Sequence, residues 1–159
     1  MVDYVAVAGW VNFTEGFSSS PKLVTKLSGE KHKRGSLAVW RKSLAEIQAE
    51  KCFYCDTATI EKPEVDHVLP WSYVLEDRTW NLVLSCGRCN GTKSDRLPPM
   101  HQIEKLVARN IALVSDQIAV SDSKFLRHFD EWHSRDLSAH LRSMYDQAVA
   151  EQYPVWTRN

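Results

Sequence analysis

What the sequence lacks narrows its reading first. No apolar run approaches the roughly 20 residues needed to cross a bilayer, so no membrane helix is expected. The apolar opening MVDYVAVAGWVNF carries no basic leader, which makes it a strand or core segment rather than a secretory signal. No cysteine is left over, because all four stand in two Cys-x-x-Cys pairs, Cys52/Cys55 and Cys86/Cys89. Without a secretory signal the expected compartment is the cytoplasm, where thiols stay reduced and a metal site is favoured over disulfides. A redox Cys-x-x-Cys would have no need of a second pair. There is no internal repeat and no low-complexity tract. Net charge is also missing, since 20 basic residues balance 20 acidic ones.

That neutrality dissolves when the charge is followed along the chain. From Lys22 to Lys42 seven basic residues face one acid, Glu30, so the rest of the chain carries the compensating negative charge. Such asymmetry suggests one positive face for a polyanion. Lys31, Lys33, Arg34, Arg41 and Lys42 are its candidate contacts, with Lys93 and Arg96 further along. The alternative is an ordinary solvated charge run.

A length of 159 residues suits one ordinary domain with a real core. Residues 1–21 read as an apolar lead-in ending in the linker Ser18-Ser19-Ser20-Pro21, and 22–51 as a basic segment followed by a helix. Leu37, Trp40, Leu44 and Ile47 recur at three- and four-residue steps, the mark of one helical face, and Trp40 is expected in the core. Residues 52–98 form the chemically dense segment. Within it a strand is expected around Asp66-His67, a loop from Trp71 to Arg78, a second strand at Trp80–Leu84 and a short helix starting near Asn90. Residues 99–159 read as a helical extension of the same domain, with apolar spacings at Met100–Val114, Phe125–Trp132 and Leu137–Ala148. Its histidines, His101, His128, His133 and His140, are expected to be structural or exposed, as is His32.

Each Cys-x-x-Cys is a turn that brings two thiolates to one tetrahedral Zn²⁺, and two such turns complete a Cys₄ structural site. Between them lie an Asp-His step and two asparagines, Asn81 and Asn90. Phosphodiester hydrolysis needs a base for water and a cation for the phosphate and the departing alkoxide. His67 suits the first task, since imidazole exchanges a proton near neutral pH. Asp66 and the side-chain oxygen of Asn90 suit a hard divalent cation. Neighbours in a regular strand point to opposite faces, so Asp66 and His67 share a site only where the strand is irregular or ends.

The order of these residues resembles the HNH (ββα-metal) endonucleases, in the variant whose third signature residue is Asn. The stretch Asn90-Gly91-Thr92-Lys93-Ser94-Asp95 is similar to the equivalent stretch in the HNH domain of RNA-guided CRISPR effector nucleases. That domain has no zinc clamp, so the likeness is closer to bacterial zinc-ribbon HNH nucleases. The resemblance covers residues 52–98 and extends faintly back to Lys22. It implies an α+β fold: a His-Me finger hairpin and helix, clamped by the Cys₄ zinc site and surrounded by helices. It further implies that Asp66 and Asn90 ligate Mg²⁺ or Mn²⁺, that His67 activates water and that Asn81 pins the loop between the strands. The implied substrate is DNA, double-stranded, and the products are 5′-phosphate and 3′-hydroxyl ends. One such site cuts one strand per visit, so a double-strand break would need two protomers or two encounters. A homo-oligomer, or a further domain or protein that supplies specificity, is the implied partner. The competing reading is a non-catalytic zinc module that binds nucleic acid.

Overall fold

The computed structural model describes residues 35–58, 61–115, 117–130 and 134–157. The strand-like lead-in and the basic residues Lys31, Lys33 and Arg34 lie outside the described residues. So do His32, Trp132 and His133.

The amphipathic spacing from Leu37 produces a 3-10 turn, Leu37–Trp40, running directly into α1, Arg41–Gln48. Leu44 is fully buried, and Trp40 packs edge-on against Phe125 and His128. The helix ends where Ala49 takes a left-handed conformation at φ 47°. Its last residue, Gln48, then works as an edge strand would. The Gln48 amide donates to the Leu84 carbonyl (3.0 Å) and accepts from the Leu84 amide (2.8 Å), covering the open edge of β2.

Among the described residues the sheet has two antiparallel strands, β1 (Glu64–His67) and β2 (Leu82–Ser85), with Asp66 opposite Val83 and His67 opposite Leu82. The segment between them is more ordered than the expected loop. It contains the single-turn helix α2, Trp71–Val74, and a 3-10 turn, Thr79–Asn81. Trp80 and Asn81 therefore precede the second strand instead of belonging to it. Two buried residues of α4 (Met100–Val114) explain this turn. Asn110 Nδ2 and Arg109 Nη2 donate to the Trp80 carbonyl (2.9 and 3.0 Å), and Arg109 Nη1 donates to Leu82 O (2.7 Å). Burial holds the Arg109 guanidinium down to about 9, and carbonyl oxygens solvate it where water does not reach.

After β2 comes α3, Gly87–Lys93. It begins three residues before the expected start, because Cys86 Sγ accepts from the Cys89 amide and serves as the N-cap. The turn of the second Cys-x-x-Cys pair is thus also the first turn of the helix. β1, β2 and α3 make the strand–strand–helix unit. Around it pack α4, α5 (Ser123–Leu126) with a following 3-10 turn, and α6 (Ser134–Ala150). Pro99 opens α4 as its N-cap, and Asp122 caps α5 while accepting from Ser43 of α1 (3.0 Å). The expected helical faces are buried at Ile103, Leu106, Val107, Phe125, Leu137, Leu141, Tyr145 and Ala148. After α6 the chain returns to the unit, where Val155 bridges Leu97 and Trp156 is buried against the Tyr54 ring (centroids 5.4 Å). Among the described residues, no helix is long and apolar enough to cross a membrane.

Candidate active site

The four cysteines converge as their spacing requires. Their sulfur atoms all lie within 4.8 Å of one another, and Cys55 and Cys86 are 3.9 Å apart. A tetrahedron with Zn–S bonds of about 2.3 Å has edges of about 3.8 Å, so the group fits a zinc ion. Backbone amides also reach the sulfurs, with Cys86 N donating to Cys52 Sγ at 3.3 Å. Burial raises the Cys52 and Cys89 thiols. At Cys55 burial also works upward, but bonds from the Thr57 hydroxyl and backbone and from neighbouring thiols outweigh it and draw Cys55 down to about 6.

Asp66 is buried beneath this clamp. Its Oδ2 accepts from the Tyr54 hydroxyl (2.7 Å) and lies 3.2 Å from Lys93 Nζ. Burial pushes its carboxyl above the ordinary range, while the Lys93 charge and the Tyr54 hydroxyl pull against that. Burial and the Asp66 charge together hold Tyr54 well above its usual value, so it stays a hydrogen-bond donor.

His67 ends β1, where the strand gives way to a bend, and this end effect lets neighbouring Asp66 and His67 line one cleft. Its Nε2 is 3.0 Å from Asp77 Oδ1. A carboxylate can only accept, so Nε2 is the nitrogen that carries a proton and donates to Asp77. The other Asp77 oxygen accepts from the Gly35 amide (3.0 Å). A Cβ at Gly35 would come within 2.9 Å of that oxygen, so a larger residue there would displace the carboxylate. Asp77 thereby ties the start of the described chain to the imidazole.

Asn81 is fully buried and forms a two-way bond with Leu69: Oδ1 accepts from its amide (2.8 Å) and Nδ2 donates to its carbonyl (2.9 Å). It joins the two ends of the inter-strand segment. Asn90, on α3, donates from Nδ2 to Glu64 Oε2 at 2.6 Å. Asp66, His67 and Asn90 line a single cleft of about 490 Å³, bordered by Gly35, Pro70 and Trp71. An anionic oxygen donor and an amide-bearing side chain on adjoining elements are a fitting donor set for a hard divalent cation.

The basic candidates divide. Arg41 and Lys42 are exposed at the start of α1. Arg96 is exposed too, but lines a separate cleft of about 640 Å³ with Arg88, beside Cys55, Cys86 and Cys89. Lys93 departs from expectation. It is fully buried, donates to the His67 carbonyl (2.7 Å) and pairs with Asp66, so its ammonium serves the site from within rather than facing solvent. His128 accepts from the Thr79 amide (3.1 Å) and His140 packs on Trp80, both structural roles.

Sequence reasoning missed Asp77, Glu64 and Tyr54. Glu64 was within reach, since it stands two residues from Asp66 on one strand face. Asp77 had no such signal, and Tyr54 between the knuckle cysteines reads as packing.

Residues 52–99 are matched by the HNH endonuclease family model. Over those residues the strand–strand–helix unit, with its four close cysteines, is similar to the HNH endonucleases. No curated protein matches the chain. Among solved structures it is similar to the Type II-C Cas9 enzyme from Actinomyces naeslundii, with 18% identity and a TM-score of 0.40 over 95% of this chain. The chain spans 16% of that protein's length.

Proposed function

We propose that the chain is a metal-dependent endonuclease that hydrolyses phosphodiester bonds of double-stranded DNA in the cytoplasm, leaving 5′-phosphate and 3′-hydroxyl ends. The observation that carries this reading is the meeting of Asp66, His67 and Asn90 in one cleft of the HNH unit. In the proposed reaction His67 takes a proton from water. Asp77, 3.0 Å from Nε2, keeps the imidazole in the Nε2–H form and then stabilises the imidazolium. Asp66 and Asn90 would hold Mg²⁺ or Mn²⁺, which supplies neutralisation of the phosphate and of the departing alkoxide. Asn81 keeps the inter-strand segment in place through Leu69. The Cys₄ group would hold Zn²⁺ and take no part in the chemistry.

Lys31, Lys33, Arg34, Arg41, Lys42 and Arg96 are the proposed phosphate contacts. Gly35 and Leu37 border the cleft, and Arg34 is joined to Gly35 by one peptide bond. Double-strand cutting would follow from two protomers or two encounters, and a further domain or protein would supply specificity. Incubating the zinc-loaded chain with supercoiled plasmid and Mg²⁺ tests the reading. Nicked or linear product that EDTA abolishes, with ends that a ligase reseals, is the expected result. DNA binding without any cleavage would replace it with a non-catalytic zinc module.

A further inference from the structure

β1 and α3 meet along two side-chain rungs. Glu64 and Asp66, two apart on a strand, leave its same face. Asn90 and Lys93, three apart on a helix, share one side of it. The rungs pair Glu64 with Asn90 and Asp66 with Lys93. The second is a buried ion pair and needs no further explanation. The first joins an exposed carboxylate to an amide, so core packing does not impose it.

A carboxamide presents oxygen at one end and NH₂ at the other in nearly the same shape, and only the oxygen can ligate a hard cation. A carboxylate can only accept hydrogen bonds. The 2.6 Å contact between Glu64 Oε2 and Asn90 Nδ2 therefore fixes which way the amide is turned. The Glu64 carboxylate is itself located, because its Oε1 lies over the first residue of α3, 3.2 Å from where a Cβ on Gly87 would be. A side chain there would crowd it.

We propose that Glu64 is a positioning residue: by holding the Asn90 NH₂ it presents the Asn90 oxygen to a divalent cation. This rests on the reading of Asn90 as a ligand given above. Loss of a group that orients a metal ligand typically weakens metal binding by about 10–100-fold.

The test is Mn²⁺ binding to the zinc-loaded full chain without DNA, followed by electron paramagnetic resonance and calorimetry, with circular dichroism as the check on folding. Glu64→Ala and Asn90→Ala should each weaken binding by about 10–100-fold. Glu64→Gln, which can pair with either end of the amide, should fall between Glu64→Ala and the wild type. The double variant Glu64→Ala/Asn90→Ala should bind no more weakly than Asn90→Ala alone, because Glu64 acts through Asn90. Unchanged affinity in Glu64→Ala, with a loss in Asn90→Ala, overturns the positioning role and leaves the ligand reading intact. A double variant weaker than Asn90→Ala also overturns it, by making Glu64 a direct ligand. No loss in Asn90→Ala removes the ligand reading itself.

Discussion

Lys93 and Asp66 form a buried ion pair, with Nζ 3.2 Å from Oδ2 and side chains 1% and 8% exposed. The lysine also donates to the His67 carbonyl, so one ammonium fixes the backbone of one site residue and the charge of the next. Removing one partner of such a pair leaves an uncompensated charge and typically costs about 3–5 kcal/mol. Lys93→Met should lower the urea midpoint accordingly, and Asp66→Asn/Lys93→Met should recover much of the loss.

The pH dependence of that variant has a definite sign. Burial already raises the Asp66 carboxyl, and losing Lys93 raises it further. A raised acid is better accommodated protonated in the folded state, so its contribution to stability is greatest below about pH 4 and is lost as the pH rises through the folded value. The Lys93→Met penalty should therefore be full at neutral pH and shrink on acidification. A penalty independent of pH would show that the pair is not what Lys93 stabilises.

The Cys₄ group should bind one zinc per chain, countable by elemental analysis. It joins α3 to a turn more than 30 residues earlier in the chain. Structural zinc contributes on the order of 10 kcal/mol in small zinc-finger peptides, comparable with the whole stability margin of a usual domain, about 5–15 kcal/mol. Cys86→Ser should thus give an unfolded or aggregating protein, the more so because Cys86 also caps α3. A folded, active Cys86→Ser variant rules the clamp out.

Trp156 supports the site from the far end of the chain, through Tyr54 to Asp66. Trp156→Ala should cost about 3–5 kcal/mol, read as a lower thermal midpoint. Trp156→Phe should cost less, since it keeps an aromatic edge against Tyr54.

The spacing of Cys52, Cys55, Cys86 and Cys89 was readable because a metal imposes local rules on sequence. So were the Asp66-His67 step and the buried faces of α1, α4 and α6. What escaped depends on contacts across the fold. Trp80-Asn81 looks like a strand and becomes a 3-10 turn because Arg109 and Asn110, about 30 residues on, capture the Trp80 carbonyl. Lys93 looks solvated, and is buried because Asp66 and Tyr54 meet beneath α3. Cys86 is a ligand candidate by spacing, but nothing local marks it as a helix cap.

The basic residues should act through phosphate charge. Each phosphate neutralised contributes roughly −0.9 to the slope of log affinity against log salt on duplex DNA. Replacing Lys31, Lys33 and Arg34 together by Ala, or Arg41 with Lys42, should flatten that slope and weaken all sequences about equally. Replacing Arg88 and Arg96 asks the same of the cleft beside Cys55, Cys86 and Cys89. An unchanged slope in a variant assigns those side chains to solvent.

The most direct measurement is the single-turnover rate of DNA cleavage in saturating Mg²⁺, for the wild-type chain and for His67→Ala shown to be folded and zinc-loaded. Loss of a general base typically slows a reaction by about 10²–10⁴-fold, and that loss is the predicted result, with DNA affinity largely retained. Cleavage by His67→Ala at the wild-type rate would contradict the proposed role of the Asp77-held imidazole.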